Sequence, residues 1–273
     1  MAGLIEPQKL KKLYLDKKLN AYQIAKLYGC GHSTVYRRLQ QCGIARRNIS
    51  EAHIRYSKKS FLGNNVEKAY LIGFRLGDLW VHKLTDNKSQ TIRVDCHSTK
   101  DEQIEVFKGL FERYSKVIVT RHIAGSGVAG HNKDTWKARV YLDLSFNFLL
   151  PKQDVIESWM ISNNKYFWAF VAGYSDAEGC FSIKKLNNYP GFHLQTYDKN
   201  ILFEIHDKLK QFNIVASLPT ASKLVNDEGQ RIWRLSVYRK QALKFLIINL
   251  RKLIKHSKRR KDMQRVWKLI KNG

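Results

Sequence analysis

Residues 171–183 read VAGYSDAEGCFSI, a run of small and apolar residues that closes on Asp176, Glu178 and Gly179. One hundred positions earlier the chain reads AYLIGFRLGDLWV (69–81), so that Gly73 aligns with Gly173 and Asp78 with Glu178. Further on, WKARVY (136–141) answers WRLSVY (233–238) at an offset of 97. Self-similarity of this kind marks two copies of one supersecondary unit. In each copy the motif is followed by alternating stretches that read as strands, LWVHKL and SQTIRVDCHS in the first half, CFSIKKL and GFHLQTY in the second. An amphipathic helix follows in each (DEQIEVFKGLFERY; KNILFEIHDKLKQF), then a second strand pair. The expected fold class is α+β, with one unit over 66–150, a linker over 151–164 and the second unit over 165–255.

Each motif has small residues at i and i+4 of a helix: Gly73 and Gly77, then Gly173 and Ala177. Glycine inside a helix costs about 1 kcal/mol relative to alanine, so its use needs a reason. Close backbone approach of two helices is that reason. Packed together, the two helices bring Asp78 and Glu178 side by side at one end, with Gly179 as a helix stop. A carboxylate there opposes the helix dipole, and a second one adds repulsion. A cation between them relieves both. Oxygen-only donors beside a basic groove suit Mg²⁺, which bridges carboxylate to phosphate, activates water and stabilises a leaving 3′ oxygen. A single Gly-Asp or Glu-Gly after an apolar run is usually a solvated helix end; the pair, repeated in equivalent positions, is far more specific.

The charge balance explains what the acids would face. Lys and Arg number 49 against 23 Asp and Glu, a formal net charge of +26, which calls for a polyanionic partner. Residues 1–60 carry net +10 and residues 251–273 net +9, so both ends read as clamps on a phosphate backbone. The longest aliphatic stretches, such as FLIINL at 245–250, fall far short of the roughly 20 residues that span a bilayer, so no membrane partner is expected. No basic segment precedes a hydrophobic run at the N-terminus, and the four cysteines form no Cys-x-x-Cys pair. The expected location is a reducing compartment, cytoplasmic or organellar, and not a secreted one.

On these residues the chain resembles the monomeric LAGLIDADG homing endonucleases. VAGYSDAEG (171–179) follows the nine-residue signature closely, and LIGFRLGDL (71–79) follows it at Leu71, Gly73, Gly77 and Asp78. The first copy departs from it with Arg75, with Leu76 for the earlier acid and with Leu79 for the last glycine. The resemblance implies tandem pseudo-two-fold repeats with saddle-shaped antiparallel sheets in successive major grooves. Asp78 and Glu178 would bind Mg²⁺, with Mn²⁺ able to substitute, and cut both strands across the minor groove to leave 3′ overhangs. Asp176 would support the helix end. Gln195, Arg239 and Lys240 are the catalytic groups expected near the metal, although Asp143 stands at the Lys240 position of the first half. Arg93, Lys184 and Arg234 are expected DNA contacts on the strands. The implied partner is double-stranded DNA with a long pseudo-symmetric target, met by a monomer.

Residues 1–45 read as a small all-α helix-turn-helix domain, similar to the module at the end of DNA invertases and resolvases across GHSTVYRR. Ser33 is the expected N-cap, and Ser33, Thr34, Arg37 and Arg38 the expected DNA contacts, with Arg37 suited to a bidentate guanine contact. Residues 46–65 read as a basic linker that tracks the DNA backbone through Arg46, Arg47, Lys58 and Lys59. AGSGVAGHN (124–132) lacks the Gly-Lys-Ser/Thr ending of a nucleotide loop and reads as a hairpin tip. Residues 256–273 read as a basic helix packed through Val266, Trp267 and Ile270. The leading reading is a site-specific double-strand DNA endonuclease of the intron-homing type. A non-cleaving DNA-binding regulator on the same fold and an intron RNA maturase are the alternatives.

Overall fold

The computed structural model describes residues 5–17, 19–46, 57–84, 90–123, 134–184, 186, 188–226 and 228–271. Two compact units divide the chain, Met1–Arg55 and Tyr56–Gly273. Arg47 and the 124–132 stretch lie outside the described residues.

In the first unit, α1 (Pro7–Lys11) runs on into a π-helical turn (Lys12–Asp16), followed by α2 (Ala21–Tyr28) and α3 (His32–Gln41). Asn20 and Gln23 cap α2 reciprocally, each side chain accepting from the other's backbone N–H. Gly29 takes φ 62° at the turn between α2 and α3, a conformation that favours glycine. Leu10, Tyr14, Ile24, Ala25, Val35 and Leu39 form the buried core. The helix cap differs from expectation: α3 begins two residues early, so Gly31 is its N-cap and Ser33 lies inside the first turn.

The second unit is built from two copies of one topology. The first contains α4 (Asn65–Asp78), β1 (Leu79–Lys83), β2 (Ile92–Ser98), α5 (Asp101–Phe111), β3 (Ile118–His122) and β4 (Thr135–Leu142). After a 3₁₀ turn (Leu144–Leu149) and α6 (Ser158–Ile161), the second contains α7 (Asn164–Glu178), β5 (Gly179–Lys184), β6 (Tyr189–Thr196), α8 (Lys199–Gln211), β7 (Thr220–Val225) and β8 (Arg231–Val237). Then come α9 (Lys240–Leu250) and α10 (Ser257–Lys271). The two four-stranded sheets are antiparallel and share one order, β1-β2-β4-β3 and β5-β6-β8-β7. Alternation along the strands buries Ile92, Val94, Cys96, Ala138, Val140 and Leu142 on one face of the first sheet.

The two seam helices, α4 and α7, are each capped by an asparagine, Asn64 and Asn163. Their crossing leaves no room for side chains. A Cβ on Gly73 would fall on the carbonyl oxygen of Phe170 and 2.9 Å from the Tyr174 nitrogen. A Cβ on Gly173 would fall on the carbonyl oxygen of Tyr70 and 2.9 Å from the Phe74 nitrogen. Beyond the seam, Gly179 ends α7 with extended backbone, φ −90°, rather than in the left-handed form of a glycine cap, and the chain passes straight into β5.

Residues 58–61, within the stretch read as a linker, are bonded into the second unit. Lys59 N donates to Tyr114 O at 2.8 Å, Ser60 Oγ to Asp143 at 2.7 Å, and the Phe61 ring packs on Phe146 and Phe148. Gly173→Ala should cost about 3 kcal/mol or prevent folding, since the clash is with backbone that cannot rotate away. Gly109→Ala, in open space within α5, should gain about 0.5–1 kcal/mol. Chemical denaturation of the two variants checks both.

Candidate active site

Asp78 and Glu178 end the two seam helices, and the close crossing sets them side by side. A Cβ on Gly77 would strike that of Ala177 and lie 3.1 Å from Glu178 Oε1, so the two helix ends meet at their last turns. Burial, its main cause, pushes the Asp78 carboxyl up to about 6, against the pull of Arg259 and a hydrogen bond from Gln103 Nε2. Burial and then the Asp78 charge push Glu178 up to about 7. Both shifts express the same fact: two carboxylates have been drawn together out of water.

Asp176 does more than support the helix end. It is fully buried, accepts from Tyr70 Oη at 2.5 Å across the seam, and receives the backbone N–H groups of Lys255 (2.6 Å) and His256 (3.2 Å). It thus joins both seam helices to the approach of α10. Arg75, the first copy's departure from the signature, is also structural: it is buried, and its guanidinium donates to the carbonyl oxygens of Leu149 (2.9 Å) and Leu79.

Beside Glu178 a cleft of about 360 Å³ is lined by Gly179, Cys180, His193, Gln195, Arg234 and Arg259. Of the expected catalytic groups, Gln195 is here, accepting from Arg234 at 2.6 Å. Arg239 and Lys240 are exposed at the start of α9 and do not line the cleft. The His193 ring bridges Ser182 (3.1 Å) and Ser236 (2.9 Å) on the same sheet face. Sequence reasoning missed Gln103 and Arg259. A polar residue on the apolar stripe of DEQIEVFKGLF was the available signal for Gln103; nothing in the KRRK run separates Arg259 from its neighbours.

The expected DNA contacts are unevenly available. Ser33, Thr34 and Arg37 are exposed on α3, while Arg38 is partly buried and donates from Nε to Ile5 O at 3.2 Å. Arg46 stacks over the Tyr36 ring at 4.6 Å. Lys58 turns inward to Thr91 and the Gln90 carbonyl, and burial lowers its ammonium; Lys59 is exposed. Arg93 is clamped to Asp95 at 2.6 Å, as is Arg139 at 2.7 Å. Burial alone would raise Asp95, but hydrogen bonds from the two arginines hold it below the usual carboxylate range. Lys184 and Arg234 are exposed.

Among the described residues no group of three or more His, Cys, Asp and Glu side chains forms a metal cage. The donor set is therefore two carboxylates beside an open cleft. That fits a hard divalent ion, which keeps waters and takes phosphate oxygens for the rest of its shell.

Residues 171–270 match the family model described as LAGLIDADG endonuclease. No curated protein matches the chain. The homing endonuclease I-WcaI bound to its DNA recognition sequence aligns with a TM-score of 0.51 at 17% identity, over 72% of this chain and 86% of that one. Weaker likenesses include I-DmoI in complex with DNA and Mn, with a TM-score of 0.43 at 21% identity over 68% and 97% of the two chains. Full-length DUF199/WhiA from Thermatoga maritima gives a TM-score of 0.45 at 16% identity over 77% and 62%. The chain thus has the α+β LAGLIDADG fold, with a motif helix at the heart of each repeat.

The raised carboxyls predict a pH signature. A folded-state carboxyl above its unfolded value favours the native state at low pH, and that contribution is lost as pH rises through the folded value. In chelator the melting temperature should therefore fall by several degrees between pH 5 and 8. Asp78→Asn with Glu178→Gln should flatten this slope, as read by thermal melts.

Proposed function

We propose that the protein is a site-specific double-strand DNA endonuclease of the homing type, acting as a monomer. The observation that carries this reading is the pair Asp78 and Glu178, forced together at the foot of a glycine seam in a chain of net charge +26. A protein that only bound DNA would gain nothing from two buried, mutually repelling carboxylates beneath its binding surface. Divalent cation binding would offset that repulsion, with Mg²⁺ the expected ion and Mn²⁺ a substitute.

The chain's own groups divide the work. Asp78 and Glu178 would hold the ions, which when bound supply Lewis-acid activation of phosphate and water. Gln103 fixes one carboxylate oxygen of Asp78. Gln195 and Arg234, joined to each other beside Glu178, would meet the backbone of the strand being cut, and Lys184, exposed at the far end of β5, would add a contact further along it. The opposite sheet presents Trp80, 56% exposed, under the Arg93 guanidinium at 5.3 Å. The helix-turn-helix would add contacts from Ser33, Thr34 and Arg37 at a separate segment of the target. No helix among the described residues is long and apolar enough to cross a membrane.

Asp78→Asn or Glu178→Gln should lower double-strand cleavage by roughly 1,000-fold or more while changing affinity for the target by less than about 3-fold. Cleavage assays on the uninterrupted host locus, with ends sequenced, should return paired 3′ overhangs. Tight specific binding without cutting in Mg²⁺ or Mn²⁺ would instead identify a DNA-binding regulator. Removal of residues 1–55, the first unit, should weaken DNA binding and flatten its salt dependence by about 0.9 per lost phosphate contact; an unchanged slope in a salt titration would place the module off the DNA.

A further inference from the structure

Helix α10 opens on Ser257 followed by Lys258, Arg259, Arg260 and Lys261, with no acid in its first turn. Cations at a helix N-terminus oppose the dipole by about 0.3–1 kcal/mol each, so a helix that begins this way needs compensating partners. Arg260 has one in the Ile254 carbonyl at 2.9 Å. Arg259 is placed differently. Its Nε is closed off from solvent without a hydrogen-bond partner, and its side chain lines the cleft beside Glu178 and Gln195. Its charge acts on Asp78, Glu178 and Asp176 alike, drawing each carboxyl down against the effect of burial.

The delivery of that guanidinium is well fixed. Asp176 receives the two backbone N–H groups that lead into α10. Met263, Val266 and Ile270 then bury one face of the helix, which packs on β5 and β6. Among the described residues nothing in the first repeat corresponds to α10: there the chain passes from the Leu144–Leu149 turn through α6 directly into α7. The duplicated unit therefore supplies two acids, and an element outside the duplication supplies one cation that lines the cleft beside Glu178 and whose charge acts on both.

We propose that Arg259 is a positioning residue shared by the two acids, a single guanidinium that holds the Asp78 and Glu178 carboxylates in their facing arrangement. Its effect on cleavage rests on the endonuclease reading above; its coupling to the acids does not. A side chain that merely packed α10 would be replaced adequately by the similar stem of methionine. One that compensates charge would be replaced by lysine.

The test is a double-mutant cycle on the full-length protein in EDTA at pH 8.5, where both acids are ionised. Arg259→Met should lower the melting temperature by about 3 °C in the native background and by less than about 1 °C beside Asp78→Asn and Glu178→Gln. Arg259→Lys should keep most of the native value. Equal losses in the two backgrounds would overturn the proposal, and Arg259→Gln, read in the same backgrounds, decides if the methionine variant does not fold. In single-turnover assays Arg259→Met should slow both strands together by about 10-fold with DNA affinity within about 3-fold, and lysine should restore both. Slowing of one strand alone would overturn the shared role. Coupling in the cycle from a protein that cuts no DNA would sink the endonuclease reading and leave the positioning role standing.

Discussion

The structure of the second unit depends on the contact of backbone with backbone where α4 crosses α7. Gly73 meets Phe170 and Tyr174, and Gly173 meets Tyr70 and Phe74, each glycine facing the residues that flank its own counterpart. That reciprocity sets the register of the two repeats, and the buried Tyr70–Asp176 hydrogen bond crosses the same seam. It also fixes everything at the ends of the helices. β1 and β5 leave their helices at the next residue, so the position of each sheet is set by the seam. A shift of one helical turn along the crossing, about 5.4 Å, would separate Asp78 from Glu178 and displace both sheets.

The same constraint creates the electrostatic cost that the rest of the unit offsets. Close-packed helices end in acids with little water around them, and the raised carboxyls of Asp78 and Glu178 record it. The protein answers with several small devices: Gln103 on one acid, Arg259 in the cleft beside Glu178, and backbone N–H groups on Asp176. The sheet faces treat charge differently from each other. On the first, Asp95 absorbs two arginines into a fixed ion pair network. On the second, neutral Ser182, His193 and Ser236 form the network, and Lys184 and Arg234 remain exposed.

The repeat, its strands and the seam were legible in the sequence because glycine at i and i+4 weakens a helix unless a second backbone packs into the space it leaves. The paired acids followed from the same alignment. What the sequence concealed were contacts between distant segments. Asp176 binds residues 79 and 80 positions away, Lys58 turns to Thr91, and Arg38 reaches back to Ile5; a basic residue in a basic stretch carries no mark of which partner it will find. Arg259 is the sharpest instance, since four adjacent cations are equivalent in composition and differ only in the direction the helix gives them. The misplaced cap at Ser33 has a simpler cause: glycine also serves at that position, and the chain there used it.

One hydroxyl distinguishes the halves of the seam. Tyr70 carries it to Asp176 across the crossing, while the equivalent residue of the second half, Phe170, has none; in the first half Leu76 stands where the acid would be. Two copies of the second half paired with each other would bury two Asp176 carboxylates that lack this donor. Two copies of the first would bury two Tyr70 hydroxyls that lack the acceptor. Neither half is now a sound partner for itself, although their shared strand order and matching glycines mark both as descendants of one unit. The bond thus makes each repeat complementary to the other and not to itself: either half paired with its own copy would bury polar groups that the present pairing satisfies.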